Sequence, residues 1–452
     1  MKSESNKQSP FFFEHTRKVL QNPIAFLGDM VLSKKPMVDV RIAGKKYWIV
    51  QHPDALKYIF SEHPKAFTKH GITKILRYFF GEGLVTSNDE AWAQKRKLVQ
   101  PSFHKKQLSK SLGIIQNETG AFIKKLNGFP PNSEVNVNQE LLALNVAIVF
   151  RALFGTSLDH QIDEMLHILQ ELNQFATKWM RSPIKIPLNW PTASNRKFHQ
   201  NCRQFDAIIY KVIRERREGK APKSDDLLST LMHYKNAESG EGMSDRQLRD
   251  EVTTIFMAGH DTTSQTLGWI LYELALNPSI SQKIRVELNK TQDPRPFTAD
   301  TLQQFTYTNQ VIKEGLRHYP AISAVMRKPK KEVELNDIRI GPSANFLINI
   351  YGMHHHPDYW GHPEKFDPER FTIEADKNRP SFVFFPFGGG PRYCIGSGFA
   401  MMTMQVVLLE LVKNFDFDVP AGFQPEIEPN ITLKAKGGIR LMIQKVNFKD
   451  AF

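Results

Sequence analysis

The sequence is organised around Phe387-Gly-Gly-Gly-Pro-Arg-Tyr-Cys394-Ile-Gly396, in which three glycines and a proline precede a single cysteine. Such a run cannot continue a regular helix or strand, so it predicts a loop. After Gly396 the sequence becomes apolar with helical spacing, as at Phe399, Met404 and Leu411. The loop therefore presents one thiol just before a helix N-terminus, whose dipole favours thiolate over thiol. The alternative interpretation is a glycine turn with a buried structural cysteine.

The spacing of Phe387, Gly390, Arg392, Cys394 and Gly396 resembles the haem-thiolate loop of the cytochrome P-450 family. The resemblance implies that Cys394 is the proximal iron ligand of haem b and donates electron density that favours O–O cleavage. It also implies that Phe387 packs beside the thiolate, that Arg392 binds a haem propionate and that Gly396 adjoins the haem. In addition, it implies a mainly α fold with a smaller β-rich lobe.

A long helix is predicted from the capping box Ser244-x-x-Gln247 to Leu276, about 50 Å at 1.5 Å per residue. Its centre, Ala258-Gly-His-Asp261-Thr262-Thr263, has poor helix propensity, so we expect the helix to open there and admit oxygen and water. The resemblance makes Asp261 and Thr262 the acid–alcohol pair that handles protons, and it places Ala258 against haem and substrate. A Thr-rich buried helix with a capped aspartate is the alternative.

Trp92 and Arg96 lie four residues apart on one helical face, and both side chains can donate to carboxylates. Alone, this spacing is more typical of a surface cation–π pair. The resemblance makes the segment a propionate-binding helix and adds Arg327 as a further propionate ligand. It also assigns Glu314, Arg317 and Arg370 to a structural network on the haem side of the fold.

The sequence names candidates for the walls of a substrate pocket, although core packing explains each of them almost as well. They are Ile72, Phe79, Phe80, Leu84, Ala258, Ile322, Val325, Ile431 and Thr432.

Two β-hairpins are predicted. Val38–Ile42 and Tyr47–Gln51 flank Ala43-Gly-Lys45, and the alternation in Ile431–Ile443 turns around Gly437-Gly438. By resemblance, residues 1–452 form one domain. Its β-rich lobe covers about 36–60, 320–352 and 428–445, and the rest is helical.

The composition indicates a globular protein, since 41% of the residues are hydrophobic. Cys202 and Cys394 are too few for a disulfide framework, and we expect Cys202 to be structural. No run approaches the ~20 apolar residues of a membrane span, so we expect a soluble, cytoplasmic, monomeric, bacterial-type protein without a transmembrane anchor. His354-His-His356 has a metal-like composition but lacks a second ligand set.

The net charge of +13 does not by itself indicate nucleic-acid binding, because no nucleic-acid recognition motif is present. An acidic protein or a membrane surface explains the charge equally well. The chain contains no flavin, iron–sulfur or nucleotide-binding segment. We therefore expect electrons from an acidic ferredoxin or flavodoxin with its NAD(P)H reductase. Lys95 and Lys97, expected near the surface beside Arg96, are candidate docking residues, together with Lys105 and Lys106.

The resemblance predicts a monooxygenase that inserts one oxygen atom from O2 into a lipophilic small molecule, by hydroxylation or epoxidation. A peroxide-driven peroxygenase and a non-catalytic haem sensor or carrier remain alternatives. The pair Asp261-Thr262 disfavours both, because family members specialised as peroxygenases replace it and a sensor needs no proton relay.

Overall fold

The computed structural model describes residues 11–69, 73–156, 161–182, 185–220, 225–235, 240–291, 295–429 and 431–446. The helices in these ranges are α1 Phe11–Gln21, α2 Pro23–Val31, α3 Pro53–Lys57, α4 Thr73–Phe80, α5 Asp89–Val99, α6 Lys105–Asn127, α7 Val137–Phe154, α8 Ile162–Arg181, α9 Ala193–Arg217, α10 Leu227–His233, α11 Asp245–Leu276, α12 Pro278–Lys290, α13 Ala299–Leu302, α14 Thr306–His318, α15 Ile350–His354, α16 Ile373–Lys377 and α17 Ser397–Asn414.

The strands are shorter and lie mainly near the two ends of the chain. They are β1 Met37–Ile42, β2 Lys45–Val50, β3 Phe67–Lys69, β4 Ser133–Asn136, β5 Ala324–Pro329, β6 Val333–Leu335, β7 Ile338–Ile340, β8 Asn345–Asn349, β9 Phe415–Asp418, β10 Ile427–Pro429, β11 Leu433–Ala435 and β12 Arg440–Lys445. The predicted fold class, mainly α with a smaller β-rich region, is confirmed.

Helix α11 passes through the centre of the molecule. It starts as predicted, with Ser244 as N-cap and reciprocal bonds between Ser244 and Gln247 that complete a capping box. Most of its residues are buried, and it packs against α7, α9, α14 and α17. A helix buried on nearly all sides belongs to the interior of a large fold, so α11 forms the frame on which the site is built.

The expected opening at the centre of α11 is wrong, because the backbone remains α-helical throughout 245–276. Support comes from another helix, because Asn145 on α7 donates to the Gly259 and His260 carbonyls at 2.9 and 2.6 Å. Thr262 and Thr266 also donate to the carbonyls four residues earlier, but such local bonds favour a bend rather than a straight helix. The bonds from Asn145 therefore hold the centre of α11 helical in spite of its poor intrinsic propensity.

The first predicted hairpin is confirmed. β1 and β2 pair in antiparallel register, and Ala43 and Gly44 have φ of 46° and 78°, as a tight hairpin turn requires. They form one edge of a five-stranded sheet with the order β1-β2-β8-β5-β3. β2 runs parallel to β8, whereas β5 is antiparallel to both β8 and β3. This sheet is the β-rich lobe.

The second predicted hairpin is wrong. β11 pairs with β10, whereas β12 joins a separate three-stranded sheet between β4 and β9. Gly437 and Gly438 both have positive φ, and a Cβ at Gly438 would lie 2.3 Å from the Asn136 amide. The two glycines therefore lead the chain away from β11 and onto β4. Buried and more exposed residues do alternate in β11 and β12, but this pattern does not show which strands pair.

The C-terminal strands also do not belong to the β-rich lobe, contrary to expectation. Leu433, Ile439, Leu441 and Ile443 are part of the large hydrophobic core shared with the helices, while the five-stranded sheet has its own clusters. Among the described helices, Val137–Phe154 is long and apolar enough to span a membrane, yet 67% of that window is buried inside the protein. Helix α7 therefore packs as a core helix.

Candidate active site

The cysteine loop is a tight structure that glycine makes possible. Gly388 and Gly390 have φ of 76° and 62°, and a Cβ at Gly390 would lie 1.7 Å from the Phe60 carbonyl oxygen. The Cys394 N–H donates to the Phe387 carbonyl at 3.0 Å, which closes the loop. Helix α17 then begins at Ser397, so the predicted order of loop, cysteine and helix is confirmed.

The Cys394 side chain has accessible surface and yet is closely surrounded by protein. Burial raises the pKa of its thiol, while the N–H groups of Gly396 and Ser397 and the Arg96 guanidinium act in the opposite direction. The helix dipole predicted a lowered pKa for Cys394, but the loss of hydration outweighs these donors and the pKa is raised. A metal cation on the sulfur would reverse the balance, because a coordinating thiol is deprotonated.

The predicted propionate ligands meet around this loop. Arg96 Nη1 donates to the Tyr393 carbonyl at 2.8 Å, and burial lowers the Arg96 pKa while the Cys394 sulfur raises it. The Arg392 guanidinium lies 4.3 Å from the centre of the Trp92 ring and donates to the Ser87 carbonyl. Trp92 thus forms a cation–π pair with Arg392.

Lys69 is a cation at this site that the sequence analysis missed. It lies on β3 directly opposite Arg327 on β5, an arrangement of like charges that is unfavourable by itself. Burial, with Arg392 and Arg327, lowers the Lys69 pKa to about 7, and burial with Arg392 lowers the Arg327 pKa to about 10. Only the strand register reveals the pair, because Lys69 stands in a short sequence run without a recognisable motif.

This cation cluster, defined as Lys69, Arg327 and Arg392, fits a dianionic ligand. Burial and the neighbouring Arg392 lower the proton affinity of Lys69 and Arg327, so carboxylates placed between these partly buried cations would stabilise them. The two propionates of haem b provide such carboxylates, and the thiol of Cys394 lies in the adjoining loop. The donor set therefore fits haem b, with Cys394 as the iron ligand and the cluster with Arg96 as the propionate partners.

One short face near the centre of α11 is open, although most residues of the helix are buried. Ala258 is exposed and Gly259 and Thr262 are partly exposed, whereas the turns on either side are buried. The Thr262 hydroxyl donates to the Ala258 carbonyl at 3.1 Å. A hydroxyl on an open face can donate and accept in turn, so Thr262 is placed to exchange a proton with a bound molecule.

Asp261 is buried and fully engaged by other side chains. Its Oδ2 accepts from the Thr432 hydroxyl at 2.6 Å, and its Oδ1 lies 2.9 Å from Lys434 Nζ and 3.2 Å from Gln265 Nε2. Burial raises the pKa of Asp261, but Lys434, His260 and Thr432 together hold it below its usual value. The carboxylate is therefore ionised and held in place, so its predicted role as an acid requires that this contact opens.

The pocket candidates fall into three groups. Phe79, Phe80 and Leu84 are buried in the helical core, and Ile322 and Val325 pack against the core of the β-rich lobe. Thr432 is buried on Asp261, and Ile431 precedes it with partial exposure. Ile72 lies outside the described residues. Their contact with a substrate stays a prediction.

The structure brings together the predicted ionic network. Arg317 donates to both Glu314 oxygens at 2.7 Å with both side chains fully buried, and Arg370 Nε lies 3.6 Å from Glu314. His354 is buried in the same region, and its Nε2 accepts from the Phe385 N–H. In the described ranges no group of three or more His, Cys, Asp or Glu side chains could hold a metal ion.

Comparison with known proteins identifies similar sequences over most of the chain. Residues 10–442 match the family model described as cytochrome P450. A protein named cyclooctat-9-en-7-ol 5-monooxygenase from Streptomyces melanosporofaciens is 28% identical over 89% of this chain and 86% of its own length. Cytochrome P450 4F12 of Homo sapiens is 29% identical over 88% and 80%, and cytochrome P450 4A10 of Rattus norvegicus is 30% identical over 89% and 82%.

Proposed function

Because the chain belongs to the cytochrome P450 family, we propose that it hydroxylates a large, mostly apolar molecule with electrons from an acidic ferredoxin or flavodoxin. Membership in that family makes it a monooxygenase that uses O2, separate redox proteins and haem b held by a cysteine thiolate. The substrate class and the type of redox partner are proposals.

The observation that carries the assignment is the arrangement around Cys394. One thiol lies in a loop whose backbone N–H groups point at it, next to Arg96 and the cation cluster. Bound haem b would supply the oxidising chemistry through an iron held by the Cys394 sulfur. Arg96 and the cation cluster would bind its propionates, and Thr262 would hold a proton at Oγ1 on the open face of α11.

The proposed substrate class rests on the character of the surrounding side chains. The aromatic and aliphatic candidates Phe80, Leu84, Ile322 and Val325 offer apolar contact and no fixed charge. The Streptomyces relative is named as a monooxygenase of cyclooctat-9-en-7-ol, which is consistent with a bulky, mostly apolar substrate. Hydroxylation at an unactivated C–H bond follows from this as the proposed reaction.

The proposed partner class rests on charge. The chain carries a net charge of +13, and Lys97, Lys105 and Lys106 are exposed on or next to the helix that carries Arg96. An acidic electron carrier would be attracted to this surface. We also propose that the chain acts as one domain in the cytoplasm.

The absorption spectrum of the reduced carbon monoxide complex tests the haem site. A thiolate ligand shifts the Soret band of this complex to the red, unlike histidine. We expect the shifted band in the wild-type protein and its loss in Cys394→Ala. The matched control is Cys202→Ala, since Cys202 is buried in α9 and burial raises its pKa to about 12. A shifted band that survives in Cys394→Ala would exclude Cys394 as the ligand.

A further inference from the structure

Residues 79–87 comprise the end of α4 and most of the connection to α5, and they include three pocket candidates, Phe79, Phe80 and Leu84. The backbone of this segment is bound by charged side chains near the start of α11. Arg249 Nη2 donates to the Phe79 carbonyl at 2.8 Å, and the Glu82 N–H donates to Asp250 Oδ2 at 2.9 Å. The Leu84 N–H donates to Glu251 Oε2 at 3.0 Å. Three consecutive charged residues of α11 thus hold the segment at three points.

The close contact requires glycine in the segment. A Cβ at Gly81 would lie 2.0 Å from Asp250 Oδ1, and Gly81 has a φ of +65°. A Cβ at Gly83 would lie 2.0 Å from Thr254 Oγ1 and 2.5 Å from the Asp250 carbonyl oxygen. Any larger residue at either position would push the segment away from α11, so the sequence is adapted to this contact.

Glu251 joins three elements through one carboxylate that is 0% exposed. Its Oε2 accepts from Leu84, while its Oε1 lies 3.0 Å from Nζ of Lys95 on α5, the residue before Arg96. Lys95 also donates to the Glu82 carbonyl. One carboxylate therefore holds the Leu84 backbone and the Lys95 ammonium group in a fixed relative position.

The second half of the segment, residues 85–87, is bound by cations of the proposed haem site. Lys69 Nζ donates to the Val85 carbonyl at 2.5 Å, and Arg392 Nη1 donates to the Ser87 carbonyl at 3.1 Å. Two members of the cation cluster are therefore also backbone partners of this segment. Leu84 lies between these two sets of contacts, so its position depends on both.

We propose that Glu251 is a positioning residue for substrate binding, which fixes the pocket candidate Leu84 and links it through Lys95 to the helix that carries Arg96. This inference rests on the proposed function of the site. It assigns Glu251 no contact with substrate or haem. Its effect on binding is exerted through the backbone of Leu84 and the ammonium group of Lys95.

Two iron-binding probes of different size test the proposal on the haem-loaded protein. Econazole binds iron through its imidazole and extends apolar rings into the pocket, whereas free imidazole needs only the iron site. In Glu251→Gln we expect econazole to bind about tenfold more weakly, a loss of ~1.4 kcal/mol, because the neutral amide no longer forms the ion pair with Lys95. Imidazole should stay within about twofold of wild type. Spectral titration measures both dissociation constants.

The matched control is Asp245→Asn, which removes an exposed carboxylate of the same helix that pairs with Arg217, and it should change neither constant. Lys95→Met provides a second test if Glu251→Gln does not fold, because it breaks the link to α5 and leaves the Leu84 contact. It should weaken econazole alone, by about threefold. Unchanged econazole binding in the variant that folds, or an equal loss for both probes, would overturn the proposal. Absence of an imidazole-induced Soret shift in the wild type would instead contradict the haem assignment.

Discussion

The proposed role of Thr262 in proton transfer depends on where its hydroxyl lies. Its hydroxyl donates to the Ala258 carbonyl and lies on the open face of α11. From this position it can accept a proton from one side and donate to the other. Loss of the hydroxyl would leave proton delivery to whichever water occupies its place.

In Thr262→Ala we therefore expect haem binding and reductant consumption to persist while the hydrogen peroxide formed per NADPH rises several-fold. Peroxide and NADPH measured together, with surrogate redox proteins, give this ratio. Thr266→Ala is the matched control, because its hydroxyl makes the same back-bond one turn later, to the Thr262 carbonyl at 3.0 Å. An equal ratio in the two variants would place the proton-transfer residue elsewhere.

The sequence predicted which side chains gather around Cys394, but it did not predict all of the partners that the site residues contact. Cys394, Arg96 and Arg392 converge as expected, because a distinctive loop and a helical spacing of four restrict where they can lie. The ion pair between Lys434 and Asp261 was not predicted. The two residues lie far apart in the chain, and the sequence around neither of them indicates that they meet. Lys69 was missed for the same reason.

At the element scale, the junction of α14 and α15 contains histidines that are held neutral. His355 stacks on Tyr351 at 4.2 Å, lies 5.4 Å from His318 and donates from Nδ1 to the Tyr351 carbonyl. Burial, with the charge of Arg317, lowers the His355 pKa to about 4 and the His318 pKa to about 2. Burial also lowers the pKa of His354.

These shifts predict a loss of stability in acid. Between about pH 6.5 and 4 the unfolded chain binds protons at these histidines while the folded chain does not, so the free energy of unfolding falls as the pH falls. His355→Gln removes one such group and should make the dependence shallower in denaturant titrations at several pH values. His362→Gln, whose side chain is 86% exposed, is the control and should leave the slope unchanged. An unaltered slope in His355→Gln would contradict this account.

The elements themselves were predictable where local signals are strong. The capping box set the start of α11, and Ala43-Gly44 set the β1–β2 turn. The sequence did not reveal that the centre of α11 stays helical, because the support comes from Asn145 on another helix. The pairing of β12 with β4 and β9 is equally non-local, so alternation alone suggested the wrong partner.

At the scale of the whole molecule, the distribution of positive charge determines where an acidic partner would dock. The structure corrects the expected role of Lys95, which turns inward to Glu251 and has a side chain only 24% exposed. Lys97 and Lys106 are exposed and lie on the consecutive helices α5 and α6. A docking test should therefore change Lys97 and Lys106 and leave Lys95 intact.

We expect Lys97→Glu with Lys106→Glu to slow reduction by a ferredoxin or flavodoxin at low salt, with econazole binding unchanged. The difference from wild type should shrink at high salt, because the Debye length falls from about 10 Å at 0.1 M to about 3 Å at 1 M. Stopped-flow reduction under carbon monoxide measures the rate. The pair Lys211→Glu and Lys290→Glu, exposed on α9 and α12, makes the same change in net charge as a control. If both pairs slow the reaction equally, no local docking surface exists at α5 and α6.

The parallel pairing of β2 with β8 has a consequence for how the protein is made. Tyr47 and Asn345 are partners, so the β1–β2 hairpin meets the next strand of its sheet only after about 300 further residues have been synthesised. At ~5–20 residues per second this takes on the order of 15 to 60 s. During that time Ile49 and Val50, both fully buried in the finished protein, remain on an uncovered strand edge. Ribosome-bound chains shorter than about 345 residues should therefore bind chaperones through this N-terminal hairpin.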